Sequence, residues 1–326
     1  MGNGTSFVIG NTAYVGTGTN PNDPNHRLST MYKYTAAPIN PTSPTGYDSA
    51  YGTWTQVNDF IGSPRSNATA FSIGRIGYIG CGTSDGFTPL ADFFAYDTLA
   101  NSWTAIASIH DAVKSYPRFD ATSFSFDTVA FVLTGTDNQY YFGDVWKYSP
   151  ANNTWTQMPF MPGNPRAGAS TWVYNGKGYL MCGTTPGSQW AIGSAAYDFW
   201  RFDPNATVNQ WTRLRDISNT DPGTYDDGYN NIVRNHAVTF VIPRTNTGDK
   251  GYLTLGSNGT VYNYTWEYDF ASDLWTEKTP YEGASRTGAV GFTINGRGFV
   301  ATGINGATGY SDTREFFPNQ IYNQYD

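Results

Sequence analysis

Four short segments recur in the same order about six times along the chain, and only a repeating architecture can accommodate them. An Arg is followed three residues later by Ala and six later by Phe or Trp in five places: Arg65/Ala68/Phe71, Arg118/Ala121/Phe124, Arg166/Ala169/Trp172, Arg234/Ala237/Phe240 and Arg286/Ala289/Phe292. An apolar run ending in glycine comes next, six times: Tyr14 to Gly18, Tyr78 to Gly82, Phe131 to Gly135, Tyr179 to Gly183, Tyr252 to Gly256 and Phe299 to Gly303. Aromatics then fall on alternate residues at Tyr32/Tyr34, Phe94/Tyr96, Trp146/Tyr148, Trp200/Phe202 and Trp266/Tyr268, with Arg314/Phe316 as an imperfect sixth. A Trp-Thr pair closes the unit at 54, 103, 155, 211 and 275. Short alternating runs between glycine-rich turns specify strands rather than helices.

Each unit therefore carries four strands in about fifty residues, the period of kelch blades. The glycine before a polar loop, the Tyr-containing third strand and the Trp of the fourth resemble the kelch family across essentially the whole chain. The resemblance implies an all-β fold, a six-bladed kelch β-propeller with four antiparallel strands per blade around a central channel. No blade buries both faces alone, so one domain over 1–326 is expected, with blades near 1–60, 61–108, 109–160, 161–229, 230–279 and 280–326.

Charge narrows the partners. Only 14% of residues are charged and the net charge is −7, a balance opposed to nucleic acid or anionic membrane, both of which call for basic patches. No apolar stretch approaches the length of a membrane span, and no signal peptide is visible. In register, Met1 occupies the position of the repeated Arg, which reads as a processed start with an export signal and any surface tether upstream. Low charge, many aromatics and the triplets Asp48-Ser-Ala, Asp97-Thr-Leu and Asp127-Thr-Val, which have the form of bacterial O-glycosylation sites, point to an extracellular or cell-surface location. Ring closure has two routes: a degenerate outer strand with Tyr322 or Tyr325 in place of Trp, or a strand from residues preceding Met1.

Scaffold positions are separated from candidate functional ones by their register. Cys81 and Cys182 share one register position in blades 2 and 4, too far apart for a disulfide, and are expected free and buried. The five arginines form a ring near the channel opening, and their identity in every blade reads as scaffold, although such a ring, Arg118 and Arg234 included, could draw in a carboxylate. The residue two further on varies as Asn3, Asn67, Asp120, Gly168, His236 and Gly288, a better place to seek function. The three histidines are scattered and both cysteines have scaffold positions, so a copper centre like that of galactose oxidase is not supported.

Loops held by a rigid scaffold carry function. Residues 19–30, 136–143 and 184–197 join second to third strands, and 213–233 joins blades 4 and 5, so all build up one face; 35–52 projects from the other. Nine of ten Trp fall in repeat register and Trp190 alone does not. With Tyr140, Tyr141, Tyr225, Tyr229 and Tyr262, it forms a set of aromatic platforms for sugar C–H faces or protein contacts, with Asn67 bonding hydroxyls. No cofactor is called for; the acidic run with Asp216, Asp221, Asp226 and Asp227 lacks EF-hand spacing and reads as a solvated turn, with a structural Ca²⁺ as the alternative.

Two functions follow. The favoured one is a non-catalytic exported module binding glycan or protein through the aromatic face. The alternative is a carbohydrate-active enzyme similar to the six-bladed kelch sialic-acid mutarotase, with His236, Asp120 and Glu282 as acid and base.

Overall fold

The computed structural model describes residues 1–20, 22–38, 52–186, 194–217, 229, 231–243 and 248–317. Each repeat folds as a simple antiparallel meander. In blade 2 the strands Thr69–Ile73, Ile76–Gly80, Phe93–Asp97 and Ser102–Ile106 pair in sequence order, placing Phe71 opposite Tyr78 and Tyr96 opposite Trp103. Blades 1, 3, 4 and 5 are likewise four-stranded; blade 6 has three described strands, Val290–Ile294, Arg297–Ala301 and Thr313–Phe316. The positions proposed for a sixth outer strand, Tyr322 and Tyr325, lie outside the described residues.

The innermost strands Thr5–Ile9, Thr69–Ile73, Thr122–Ser125, Ser170–Tyr174, Val238–Ile242 and Val290–Ile294 touch one another in a closed circle, first against last. They enclose a channel lined by Ala, Ser, Thr, Val and Gly. Its hydroxyls bridge blades: Ser123 Oγ donates to Ala70 O at 2.9 Å, Thr239 Oγ1 to Thr171 O at 3.0 Å, and Ser6 Oγ to Gly291 O at 3.3 Å across the closure.

Packing between blades explains the aromatic repeat. At each of the six interfaces the inner- and second-strand rings of one blade meet the third-strand ring of the next, joined by its Trp at five: Phe7/Tyr14 with Tyr96/Trp103, Phe71/Tyr78 with Tyr148/Trp155, Phe124/Phe131 with Phe202/Trp211, Trp172/Tyr179 with Tyr268/Trp275, Phe240/Tyr252 with Phe316, and Phe292/Phe299 with Tyr34/Trp54. Phe71 stacks on Tyr78 at 4.9 Å, and Tyr78 meets Tyr148 edge-on at 5.4 Å. Cys81 and Cys182 are free and buried; burial pushes their thiols up to about 12 and about 11, leaving them unreactive.

The arginines are buried clips rather than a channel-lining ring. Arg118 is 0% exposed; its Nη1 and Nη2 hold Asp144 at 2.6 and 2.7 Å, Nη1 also reaches Thr134 O at 3.1 Å, and the guanidinium lies 4.5 Å over the Phe142 ring. Arg65, Arg166 and Arg286 repeat this with Asp92, Asp198 and Asp312. Arg234 has Tyr264 where the others have Asp; it donates instead to the carbonyls of Ile232, Leu255, Tyr264 and Asn231. Burial holds its pKa down to about 10. The expectation that Arg118 and Arg234 could meet a ligand is thus corrected: every direction of approach is filled by the protein's own acceptors.

Each clip meets an unusual backbone. Thr17, Cys81, Thr134, Cys182, Leu255 and Thr302, one per blade, have φ between 56 and 64° without being Gly or Asn. In the five blades with an arginine, its Nη1 takes that residue's carbonyl. Replacing Asp144 by Ala strands the Arg118 charge in the interior and is expected to cost about 3–5 kcal/mol. Asp92 is 38% exposed at its side chain, so Asp92→Ala is expected to cost less than half as much, water replacing the carboxylate. Denaturant melts of the two variants check this ordering.

Candidate functional site

The six positions two residues past Met1 and the five arginines form the mouth of the channel, and their variation has a backbone cause. Asn3, Asn67, Asp120, Gly168, His236 and Gly288 all sit at φ between 49 and 63°, where Gly, Asn, Asp and His are the residues most readily accommodated. They form a belt: Asn3 N donates to Gly288 O, Asn67 N to Asn3 O, Asp120 N to Asn67 O, Gly168 N to Asp120 O, and His236 N to Gly168 O, at 2.9 to 3.1 Å. A second belt runs outside it, from the glycine ending each second strand to the Arg carbonyl of the next blade. Gly303 N to Met1 O, 2.9 Å, completes it and places Met1 in the Arg position.

Side chains cross the mouth where glycine leaves room. His236 reaches over blade 4 to blade 3, its Nε2 2.9 Å from Asp120 Oδ1. A Cβ on Gly168 would lie 2.9 Å from the imidazole Cε1. Likewise a Cβ on Gly288 would lie 2.0 Å from Asn3 Oδ1. Asn67 Nδ2 donates to the same Asp120 Oδ1 at 2.5 Å. On the other edge of the ring, His236 Nδ1 is 3.0 Å from Asn235 Oδ1; Asn235 Nδ2 donates to Thr184 Oγ1 and Ser257 Oγ to Asn235 Oδ1, both at 3.0 Å. With both ring nitrogens facing oxygen acceptors, the imidazolium is the form the site is built for.

The electrostatics agree. The Asp120 charge outweighs burial and raises the His236 pKa. Burial pushes the Asp120 carboxyl up, but His236 and the Asn67 hydrogen bond outweigh it and hold the group below its ordinary value. The side chains remain 32% and 15% exposed, so both can be reached by solvent. Among the described residues no other group bonds Asp120, which leaves Oδ2 a vacant acceptor beside a cation.

The structure therefore brings Asn67, Asp120 and His236 together and leaves the other predicted residues apart. The pair's own partners are Asn67 and Asn235, and Glu282 lies in the segment joining blades 5 and 6. Tyr262 is half-buried and lies under the Arg234 guanidinium at 5.0 Å. Tyr229 is buried, its Oη donating to Trp275 O at 3.1 Å and its ring packed on Trp266, which corrects its assignment as a binding residue. Tyr140 is 66% exposed and Tyr141 half-buried, on a loop of the same face. Trp190, Tyr225, Asp221, Asp226 and Asp227 lie outside the described residues. Asp216 is bound by Arg213 at 3.0 and 2.7 Å, and no group of metal-ligating side chains occurs among the described residues. Asn235, Thr184 and Ser257 were missed, since nothing in their local sequence marks them.

Ring, clips and repeat together define a six-bladed β-propeller of kelch repeats. The Kelch motif matches residues 117–162, which include Arg118, Asp120 and Asp144. The chain is similar to proteins named N-acetylneuraminate epimerase from Shigella sonnei (strain Ss046) and Escherichia coli (strain K12), 33% identical over 113 residues. That match takes in 32% of this chain and 28% of each relative, so it spans less than a third of their length. The solved structure titled "Structure of YjhT" superposes with a TM-score of 0.69 at 16% identity, over 96% of this chain and 93% of that one. Among the described residues no helix is long and apolar enough to cross a membrane.

The pair has a pH signature. His236, raised from 6.5, contributes stability that is complete below pH 6.5 and is lost as pH climbs through its folded value. Asp120, lowered from 3.8, contributes stability present above 3.8 and lost as pH falls through its folded value. The pair's contribution is therefore greatest between the two, and His236→Gln is expected to flatten the alkaline decline, as read by thermal melts from pH 4 to 9.

Proposed function

We propose that the channel mouth is the active site of a carbohydrate-active enzyme that interconverts the anomers of a reducing sugar, with N-acetylneuraminate the first candidate. The observation that carries this reading is the half-satisfied carboxylate: Asp120 Oδ1 accepts from Asn67 and is paired with His236, while among the described residues no side chain bonds Oδ2. Anomer exchange needs a proton taken from the anomeric hydroxyl and one given to the ring oxygen as the ring C–O bond opens. After rotation of the open-chain carbonyl, the reverse transfers close the ring on the other face. Protons balance within the substrate, so a carboxylate relay serves without a cofactor. In this mechanism Asp120 Oδ2 takes and returns the proton, and His236 keeps the carboxylate ionised and fixed. Asn3 and Asn67 are placed to meet sugar hydroxyls. The epimerase names among relatives support the choice of substrate, over the part of the chain they match.

A second reading, the non-catalytic binding module, rests on Phe87 and Tyr140, 77% and 66% exposed on adjoining loops. Asp85 accepts from Phe87 N and Thr88 N, Asp137 accepts from Tyr140 N, and Asn138 Nδ2 ties the loops together at Phe87 O, 2.5 Å. Rigid exposed rings of this kind suit a glycan or protein surface.

The two separate in one experiment. Freshly dissolved single-anomer N-acetylneuraminate is followed by NMR with and without protein. Faster equilibration is expected, slowed about a hundredfold in Asp120→Asn and unchanged in Phe87→Ala/Tyr140→Ala. Equilibration at the buffer rate, together with glycan-array binding that the aromatic double variant loses, would replace the first reading with the second.

A further inference from the structure

In five blades the third-strand residue opposite the second-strand ring is long and charged: Lys33 opposite Tyr14, Lys147 opposite Phe131, Arg201 opposite Tyr179, Glu267 opposite Tyr252 and Glu315 opposite Phe299. Blade 2 has Ala95 opposite Tyr78. A second long side chain is missing beside it. Lys177 and Lys250 pair with Asp203 and Asp269 in blades 4 and 5, whereas the residue opposite Asp97 in blade 2 is Ile76. These two short positions leave a recess of about 320 Å³ between blades 2 and 3, walled by Ile76, Ala95, Ile106 and Tyr148, with Tyr78 and Asp97 among its polar groups. Ile76 begins the strand that leads to Gly82 at the mouth, so the recess lies toward the opposite end of the propeller.

Both polar groups are left incompletely bonded. Tyr78 is only 4% exposed, yet among the described residues nothing bonds its hydroxyl. Its equivalents Tyr179 and Tyr252 bond the residues opposite them, Arg201 and Glu267. Asp97 Oδ1 accepts from Arg75 Nη1 and from the amides of Leu99 and Ala100 at 2.9 to 3.2 Å, while among the described residues no group bonds Oδ2. We infer that this recess binds a small primary aliphatic ammonium ion, with a stem of about four methylenes like that of a lysine side chain. The stem takes the place that Lys33, Lys147 and Arg201 fill in blades 1, 3 and 4, against the aliphatic walls of Ile76, Ala95 and Ile106. An ammonium brings three donors and no acceptor, which suits a tyrosine oxygen beside a carboxylate. The volume lies at the lower end of ligand pockets and limits the ligand to a small amine. Nothing here rests on the catalytic reading, since the recess shares no residue with the mouth.

Saturation-transfer NMR near neutral pH with n-butylammonium, n-butanol and Nα-acetyl-lysine methylamide tests it. Transfer to n-butylammonium is expected from the intact protein and from His236→Ala, with n-butanol bound at least about fivefold more weakly for want of the charge. Ala95→Lys restores the side chain that blades 1 and 3 carry, so it is expected to melt no lower than the parent protein and to lose binding. Tyr78→Phe introduces the ring that blades 3 and 6 carry at this position, and Asp97→Asn keeps an acceptor for the turn. Each is expected to weaken binding about fivefold, the scale of one hydrogen bond, and the two decide the matter if Ala95→Lys does not fold. No transfer to n-butylammonium at millimolar concentration would overturn the inference. So would equal binding of n-butanol, or affinity unchanged in Ala95→Lys or in both Tyr78→Phe and Asp97→Asn. Transfer to the lysine derivative alone would also overturn it and make the recess a contact for a partner protein.

Discussion

The structure depends on contact between the aromatic faces of neighbouring blades. Phe71 and Tyr78 stack on each other beside Phe93 of their own sheet, Tyr148 and Trp155 of blade 3 complete their cover, and the same arrangement passes round the ring. Because burial of such side chains supplies the main favourable term in folding, an isolated blade has little to hold it together. Closure follows from the same chemistry. Phe292 and Phe299 of the last blade meet Tyr34 and Trp54 of the first, and Trp54 Nε1 donates to Thr313 Oγ1 at 3.0 Å.

Beside these interfaces, arginine clips hold five of the six blades. A guanidinium offers five donors in a rigid plane, enough to join a linker carbonyl, the carbonyl of a left-handed residue and a bidentate carboxylate at once. Four blades solve the buried-cation problem with Asp. Blade 5 solves it with carbonyl dipoles and the Tyr262 face, at the cost of a depressed pKa for Arg234. Freed of that duty, the sequence two residues on is restricted only by backbone angle, and that is where polar variety at the mouth arises.

The blades were legible in the sequence because each strand type has its own fixed aromatic or glycine. Their burial follows from the period alone. The clips were half legible: identical arginines read correctly as scaffold, but the aspartates that pair with them precede the third strand at spacings from 26 to 32 residues, and variable loop length hides the correlation. The left-handed carbonyls at Thr17 and Leu255 carry no residue signature at all. His236 and Asp120 were legible as occupants of one special register. That they touch was not, since 116 residues and a whole blade separate them and the contact depends on Gly168 being bare. Tyr229 misled because a tyrosine in a long linker looks the same whether it faces solvent or fills a gap.

Among the described residues, side-chain contacts link each blade to the next, whereas His236 and Asp120 link blade 5 to blade 3. In a repeat protein, stability is to first order a sum of unit terms and nearest-neighbour couplings. One chord drawn across such a ring adds a coupling between second neighbours. Blades 3, 4 and 5 then open as a block, blade 4 being unable to loosen without either stretching the chord or carrying it along. Protonation at the centre thereby becomes a control on cooperativity in one half of the ring, leaving blades 1, 2 and 6 to nearest-neighbour rules.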